Sequence, residues 1–247
     1  YVRNKKRACR DVGIHSVESK FETDLSEDAL LGVVKEFNAD QTIHGILVQL
    51  PLPDHIDEDK VLNTITPSKD VDGLHPVNLG KLQRGEDGFL PCTPHGVQQI
   101  LLRSNIEIEG KHVVIVGRST LVSKPLAGIL IQKNPSANAT VTLCHTSTKD
   151  IASHTRQADI LVVAAGRPNT ITADMVTEGS VVIDVGINGV PDKTKKRGYR
   201  LVGDVDFDAV SEKAGAITPV PGGIGPMTIT MLLHNTIWSA KRTTGLI

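Results

Sequence analysis

Four short apolar runs in the second half of the chain place the strongest limit on its fold. They lie at residues 112–116, 140–144, 160–164 and 181–185. Sequence with a helical or turn pattern separates each run from the next. Strands that are buried on both faces of a parallel sheet are apolar throughout, and they are joined by long, usually helical, crossovers. The sequence therefore predicts an α/β protein with a parallel sheet in this half.

The first half also alternates between helical and strand patterns. Ser26 precedes a run with apolar residues on one side and is a good N-cap for a helix. The predicted helices span residues 1–12, 27–37 and 58–65, the predicted strands span 14–21 and 43–50, and a final helix spans 228–242. Residues 66–94 are dense in turn formers, so we expect an irregular stretch with a domain boundary near its end.

Composition excludes several classes of partner. The formal net charge is -1 and aromatic residues make up 3% of the chain, so neither nucleic acid nor a membrane surface is expected as a partner. No apolar run reaches the ~18 residues of a membrane span. Cys9, Cys92 and Cys144 form no C-x-x-C pair or Cys/His cluster. The cysteines therefore indicate neither a disulfide framework nor a metal site, and a reducing, cytoplasmic location fits them best.

The first strand of the second half ends in a candidate phosphate-binding turn, Gly117-Arg118-Ser119. A helix is predicted to open at Ser123, and a helix N-terminus at the carboxyl end of a parallel strand binds phosphates. Only one glycine of the G-x-G-x-x-G fingerprint is present. An ordinary helix-over-sheet unit is the alternative.

The next strand indicates which dinucleotide would bind. It is followed by Thr146-Ser147-Thr148, and no acidic residue that could hold a ribose 2′-hydroxyl occurs before Asp150. These hydroxyls, with Arg118, could receive a 2′-phosphate. We therefore predict NADP rather than NAD as the cofactor. The alternative is that the hydroxyls cap a helix beginning near Thr148.

Four segments could carry the chemistry. Tyr1 and Lys5 share one helix face, and a lysine of lowered pKa can transfer protons. Val48-Gln49-Leu50 ends a predicted strand, where open sheets bind ligands. Asp72 lies in an acidic turn, and the loop at residues 219–228 combines prolines with glycines. Each has a structural alternative: a solvated helix, a strand end, a surface turn and a connector, respectively.

In this order, the motifs resemble the bifunctional methylenetetrahydrofolate dehydrogenase/cyclohydrolase family over essentially the whole chain. The matching segments are Tyr1-x-x-x-Lys5, VQLPL at 48–52, KDVDGL at 69–74, PCTP at 91–94, GRS at 117–119, VIDVGIN at 182–188, VGDV at 202–205 and TPVPGGIGPMT at 218–228. The resemblance implies oxidation of 5,10-methylenetetrahydrofolate with NADP, followed by hydrolysis of the 5,10-methenyl product to 10-formyltetrahydrofolate. It also implies a homodimer.

The resemblance further implies roles for individual residues. Lys5 would transfer the proton in hydrolysis, with Tyr1, Gln49 and Asp72 completing the catalytic group. The implied folate-binding residues are Tyr1, Val48, Gln49, Leu50, Asp72, Pro221, Gly222, Gly223, Ile224 and Gly225. The implied cofactor-binding residues are Gly117, Arg118, Ser119, Thr146, Ser147, Thr148 and Ile187. An NAD-dependent enzyme with dehydrogenase activity alone and a non-catalytic dinucleotide-binding regulator are the alternatives.

The resemblance also implies the domain organisation. Residues 1–92 would form the folate-binding catalytic domain and residues 93–219 a Rossmann-like NAD(P)-binding domain. Residues 220–247 would form a loop and a C-terminal helix that packs back on the first domain. The family carries a further strand and helix ahead of the tyrosine, so we expect additional residues upstream of Tyr1. Organellar targeting therefore stays open.

Overall fold

The computed structural model describes residues 2–247. The chain divides into two compact units. One unit comprises the residues up to Cys92 together with Ile229–Ile247, and the other comprises Thr93–Thr228. The loop at 220–228, which the sequence analysis groups with the last helix, clusters with the second unit. That the units act as folate-binding and nucleotide-binding domains stays a prediction.

The first unit is mainly helical in the part of it that the structure describes. Its helices are α1 (Val2–Asp11), α2 (Glu27–Ala39), α3 (Glu58–Thr64) and α4 (Pro76–Arg84). A later helix, α9 (Ile224–Thr243), contributes its residues from 229 onward. Ser26 caps α2 as predicted, because its side chain accepts a hydrogen bond from the backbone N–H of Ala29. Apolar side chains of α2 and α3 pack on Ile46 and Ile56 to form a core.

Three predictions for the first unit were wrong. No strand forms over 14–21, and residues 43–50 make only an isolated parallel bridge, from Ile46 to Asp70. A strand requires hydrogen-bonded β-bridge partners along its whole length. In the described residues, Ile46 is the one position of these two segments that has such a partner. The stretch 66–94 contains α4, which the sequence analysis missed. Its signals were Pro76 at the first turn and Gly85, whose left-handed conformation ends the helix.

The second unit is built on a five-stranded parallel sheet within the described residues. The strands are β1 (His112–Val116), β2 (Thr140–Cys144), β3 (Ile160–Val163), β4 (Val181–Asp184) and β7 (Ala216–Ile217), in the order β2-β1-β3-β4-β7. Strands β5 (Asn188–Pro191) and β6 (Tyr199–Val202) form an antiparallel hairpin. The helices are α5 (Cys92–Arg103), α6 (Ser123–Leu130), α7 (Ile151–Thr155) and α8 (Phe207–Ser211), with a 3₁₀ turn at Ala173–Met175.

The strand order creates a switch point. From β1 the chain passes to β2 on one side and then returns to β3 on the other side. At such a point, the loops that follow the neighbouring strands diverge and leave a crevice at the carboxyl edge of the sheet. The predicted α/β fold with a Rossmann-like sheet is confirmed. None of the helices in residues 2–247 combines the length and apolar character that a membrane span needs.

Candidate functional site

Lys5 and Gln49 form a hydrogen bond in the first unit. The Lys5 Nζ donates to the Gln49 Oε1 at 3.2 Å. The amide is oriented by its other end, since the Gln49 Nε2 donates to the carbonyl oxygen of Leu50 at 2.8 Å. Lys5 lies on α1, and none of the described side chains of this helix is buried. The predicted contact between the lysine and the glutamine is present.

The charge of Lys5 is balanced by opposing effects. Burial lowers the pKa of the Lys5 ammonium, while the nearby Asp72 carboxylate and the Cys92 thiol raise it to a lesser extent. Burial also raises the pKa of Asp72, against the attraction of Lys5. The Cys92 thiol has a pKa well above its usual range because it is buried and lies beside Asp72. Lys5 therefore loses its proton to become a neutral amine more readily than a solvated lysine does.

Asp72 lies in a turn that is held on both sides. The backbone N–H of Cys92 donates to the Asp72 carbonyl oxygen at 3.3 Å. Gly73 has φ 74°, and a Cβ at this position would lie 2.5 Å from the carbonyl carbon of Leu90. The buried Asn235 of α9 donates its side-chain amide to the carbonyl oxygens of Val71 and Leu90 at 2.9 and 3.0 Å. This packing fixes where Asp72 stands.

A buried lysine, Lys69, attaches the same turn to the C-terminal end of α2. The Lys69 Nζ donates to the carbonyl oxygens of Phe37, Asn38 and Asp40 at 2.9, 2.8 and 2.7 Å. These are carbonyls at the C-terminal end of α2, where a cation is favourable. Within the KDVDG motif, Lys69 therefore holds the turn in place, whereas the Asp72 side chain is available for other contacts.

The other predicted folate-binding residues of the first unit lie near Gln49. Val48 and Leu50 are half-buried, and the Leu50–Pro51 peptide bond is cis. Lys5, Val48 and Gln49 line a largely apolar cavity of about 1430 Å³, whose described lining does not include Asp72. Tyr1 lies outside the described residues.

In the second unit, the turn after β1 packs so closely against its neighbours that Gly117 has no room for a side chain. Gly117 has φ 141°, and a Cβ there would lie 2.3 Å from the Ala164 carbonyl oxygen and 2.6 Å from the Ser123 Oγ. Two residues later, the Ser119 Oγ accepts from the backbone N–H groups of Val122 and Ser123 at 3.1 and 3.3 Å. These bonds shape the turn that leads into α6, which begins at Ser123 as predicted and has Val122 as its N-cap residue. The Ser123 hydroxyl is buried, and no hydrogen-bond partner for it is found among residues 2–247.

The hydroxyl-bearing loop follows the neighbouring strand at the same edge of the sheet. Val116 pairs with Cys144, so the loops containing Gly117 and Thr146 leave the sheet side by side. Thr146 and Ser147 are exposed, as is Arg118. Thr148 instead turns inward, and its Oγ1 accepts from the His145 N–H at 2.9 Å.

These hydroxyls do not cap the next helix. Helix α7 begins at Ile151, and its N-cap is Asp150, whose side chain accepts from the Ser153 N–H at 3.1 Å. The alternative interpretation of residues 146–148 as a helix cap is therefore wrong. Two exposed hydroxyls and an exposed guanidinium remain at the carboxyl edge, a set that suits a phosphate.

Two further predicted groups belong to the second unit. Ile187 follows β4 and is 61% exposed, which is unusual for a large aliphatic side chain. In the loop at 221–225, Pro221 and Gly222 are exposed whereas Gly223 and Ile224 are buried, and the Val220–Pro221 bond is cis. That this loop contributes to folate binding stays a prediction.

Sequence reasoning missed a pair of buried carboxylates, Asp184 and Asp204, at the same edge. They lie in the VIDVGIN and VGDV motifs, each with a glycine close by, Gly186 and Gly203. A Cβ on Gly186 would lie 2.2 Å from the Asp204 carboxylate, and one on Gly203 would lie 1.8 Å from that of Asp184. The paired Asp and Gly residues were a signal, but nothing local reveals which Asp faces which Gly. Residues 2–247 contain no cluster of His, Cys, Asp or Glu arranged to hold a metal.

Comparison with known proteins identifies the family. Residues 1–72 match the catalytic domain of tetrahydrofolate dehydrogenase/cyclohydrolase, and residues 91–244 match its NAD(P)-binding domain. The bifunctional protein FolD of Syntrophus aciditrophicus is 57% identical, over 100% of this chain and 84% of the relative.

Two solved structures have the same fold. The bifunctional FolD enzyme of Campylobacter jejuni is 50% identical, with a TM-score of 0.91 over 98% of this chain and 83% of that one. The Trypanosoma brucei dehydrogenase-cyclohydrolase, solved with NADP and an inhibitor, is 42% identical, with a TM-score of 0.93 over 99% of this chain and 82% of that one. The chain described here therefore belongs to the tetrahydrofolate dehydrogenase/cyclohydrolase family.

Proposed function

We propose that this protein is a bifunctional enzyme of one-carbon metabolism. It oxidises 5,10-methylenetetrahydrofolate with NADP to the 5,10-methenyl cation and then hydrolyses this cation to 10-formyltetrahydrofolate. The observation that carries the proposal is the hydrogen bond from Lys5 to Gln49, formed by a lysine of lowered pKa. A lysine that only stabilised the fold would need neither feature.

Lys5 serves the hydrolytic step. Water adds to the methenyl carbon, and a base must remove one of its protons. A neutral amine at Lys5 can accept that proton and release it later as the ring opens. Gln49 holds the amine in place without favouring its charged form as strongly as a carboxylate would. The lowered pKa therefore matches the chemical requirement of this step.

Asp72 orients the folate. The pterin ring presents adjacent N–H donors on one edge, and a carboxylate can accept two hydrogen bonds from such an edge. Asp72 is held by its backbone and by the packing of Gly73 on Leu90. The backbone of this turn therefore does not have to be ordered when the substrate binds, which avoids an entropic cost.

The second unit fits a dinucleotide with a 2′-phosphate. Gly117 allows the turn to pack directly against Ala164 and Ser123, where a Cβ would collide, and the N-terminus of α6 follows this turn. Arg118, with the exposed Thr146 and Ser147, would hold the 2′-phosphate, and Ile187 would cover an apolar face. NADP, when bound, supplies the hydride acceptor. The protein's part in that step is to fix both molecules and to exclude water.

The two activities can be tested separately. Purified protein is given 5,10-methylenetetrahydrofolate with NADP, and reduced cofactor is followed by absorbance. A second sample receives 5,10-methenyltetrahydrofolate without any cofactor, and the loss of the methenyl band is compared with an enzyme-free control. We expect both rates to exceed their controls. Dehydrogenase activity without hydrolysis would replace the proposal with a dehydrogenase-only enzyme, and binding without either activity would indicate a regulator.

The cofactor preference gives a separate prediction. We expect kcat/KM to be higher with NADP than with NAD, because Arg118 and the hydroxyls of residues 146 and 147 receive the additional phosphate. Arg118→Ala should reduce kcat/KM for NADP by about 10- to 150-fold, since a hydrogen bond to a charged group contributes about 1.5–3 kcal/mol. The same variant assayed with NAD is the internal control, because NAD lacks that phosphate. Equal kcat/KM values of the wild type for both cofactors would contradict the prediction.

We also propose a homodimer and a cytoplasmic location. In the second unit, the hairpin β5–β6 exposes Tyr199 and Leu201. These side chains offer an apolar surface on which a second copy of the chain can pack. The three cysteines are free, which suits a reducing compartment. Light scattering on the purified protein should give twice the 26.5 kDa chain mass, and a mass of one chain would contradict the dimer.

A further inference from the structure

Two buried carboxylates organise the loops that follow β3 and β4. Asp184, at the end of β4, accepts hydrogen bonds from the backbone N–H groups of Gly186, Asp204 and Val205 at 3.0, 2.9 and 3.0 Å. Its side chain is 2% exposed and that of Asp204 is 0% exposed. No salt bridge to either is found in residues 2–247. Directed N–H groups therefore offset the cost of burying these charges.

Asp204 joins the two loops to each other. Its Oδ2 accepts from the N–H groups of Ala165 and Gly166 at 2.6 and 2.8 Å, in the loop after β3. Its Oδ1 accepts from the Asn188 Nδ2 at 2.8 Å, where the loop after β4 enters β5. The same Asn188 amide also donates to the Gly203 carbonyl oxygen at 3.1 Å. One carboxylate thus connects these two neighbouring loops through its side chain.

The linked loops lie where a dinucleotide would bind. Strands β3 and β4 are adjacent and parallel, so both loops leave the carboxyl edge of the sheet, beside the switch point. Between them they present Ile187, which is 61% exposed although its neighbours Gly186 and Asn188 are both tethered. A rigidly held but exposed aliphatic side chain is expected where a ligand covers it.

We propose that Asp184 and Asp204 are positioning residues for the dinucleotide, holding the loops after β3 and β4 in the shape that binds NADP. This inference rests on the proposed function for the identity of the ligand. The carboxylates touch neither substrate nor cofactor in this account. They act through backbone N–H groups and through Asn188, and Gly186 and Gly203 are required because each faces the opposite carboxylate at close range.

The test measures NADPH affinity directly, by the change in NADPH fluorescence on binding. Asn188→Ala removes the side-chain hydrogen bonds from Asn188 to Asp204 and Gly203 and leaves both carboxylates with their backbone donors. We expect its Kd for NADPH to rise about tenfold, which corresponds to ~1.4 kcal/mol. Asp204→Asn replaces one acceptor by a donor that would face Asn188, and we expect a larger rise. Asn188→Ala keeps the test decisive if Asp204→Asn does not fold.

Ser180→Ala is the matched control. The Ser180 side chain is also buried, and its Oγ donates to the Thr177 carbonyl oxygen at 2.8 Å, next to the opposite end of the same strand β4. It should lower the melting temperature without changing the NADPH Kd. A change of less than twofold in the Kd of Asn188→Ala, or an equal rise in Ser180→Ala, would overturn the inference in favour of general stabilisation.

The readout separates this inference from the proposed function. NADPH binding is measured without folate, so a wild-type protein that binds NADPH but performs no folate chemistry contradicts the proposed function alone. In that case the Kd ratio of the variants still decides the inference. A wild-type protein that does not bind NADPH would overturn both.

Discussion

Lys5→Ala is expected to lose the hydrolysis of supplied 5,10-methenyltetrahydrofolate almost completely. Proton transfer by a positioned side chain contributes about 10²- to 10⁴-fold to a rate, and alanine has no group that could replace the amine. The loss of the methenyl band, measured in the absence of NADP, should therefore slow by at least about 100-fold. Because Lys5 is only half-buried and at the edge of the unit, the fold should persist.

The neighbouring Lys6 provides the control for this variant. Lys6 lies on the same helix and pairs with Glu18 at 2.6 Å on the surface, so Lys6→Ala should hydrolyse the substrate at nearly the wild-type rate.

Gln49→Glu tests the role of the amide. A carboxylate beside Lys5 favours the ammonium and raises its pKa, so the rise of activity with pH should move to higher pH. Retention of more than about a tenth of the wild-type rate by Lys5→Ala would contradict a role worth 10² or more.

Asp72→Ala is expected to weaken folate binding while leaving NADP binding nearly unchanged. Hydrogen bonds to a charged group contribute about 1.5–3 kcal/mol, so the KM for 5,10-methylenetetrahydrofolate should rise by about 10- to 150-fold. The NADPH Kd, measured by fluorescence, reports on residues of the second unit and should stay within twofold of wild type.

Asp72→Asn separates charge from shape. The amide fits the same space, but one of its two polar atoms donates rather than accepts, so it should recover little of the lost affinity. Thermal unfolding of both variants checks that the turn held by Asn235 and Gly73 survives the change. Normal folate affinity in a folded Asp72→Ala protein would remove Asp72 from the site.

The sheet of the second unit was predictable because its signal is local. The predicted run at 112–116 coincides with β1 and the run at 140–144 with β2, and β3 and β4 each end one residue before the prediction. Val113, Val114 and Ile115 are all fully buried. A strand covered on both faces must be apolar at every position, so its sequence alone reveals it.

The first unit was harder because its segments depend on distant partners. Residues 43–50 have strand-forming side chains, but the described backbone pairs only Ile46, with Asp70. Helix α4 was missed because its apolar positions are few: Leu82 is buried, while Val77 is 45% exposed. The final helix begins at Ile224, four residues before the prediction, since Pro226 is tolerated in a first helical turn.

The candidate site divides in the same way. The contact from Lys5 to Gln49 was expected from the family resemblance, because the two residues are 44 positions apart and no local pattern links them. The start of α6 at Ser123 is a short-range feature, and the strand-turn-helix pattern predicted it. The Asp184 and Asp204 network depends on how loops from different strands meet, and only coordinates reveal it.

The central claim is that one chain performs both steps, and the most direct test follows both products in one reaction. Wild-type protein is mixed with 5,10-methylenetetrahydrofolate and NADP, and reduced cofactor, the methenyl band and 10-formyltetrahydrofolate are quantified over time. We expect reduced NADP and 10-formyltetrahydrofolate to accumulate in equal amounts, while the methenyl intermediate decays faster than in an enzyme-free control. Reduced NADP accompanied by methenyltetrahydrofolate that decays only at the uncatalysed rate would contradict it.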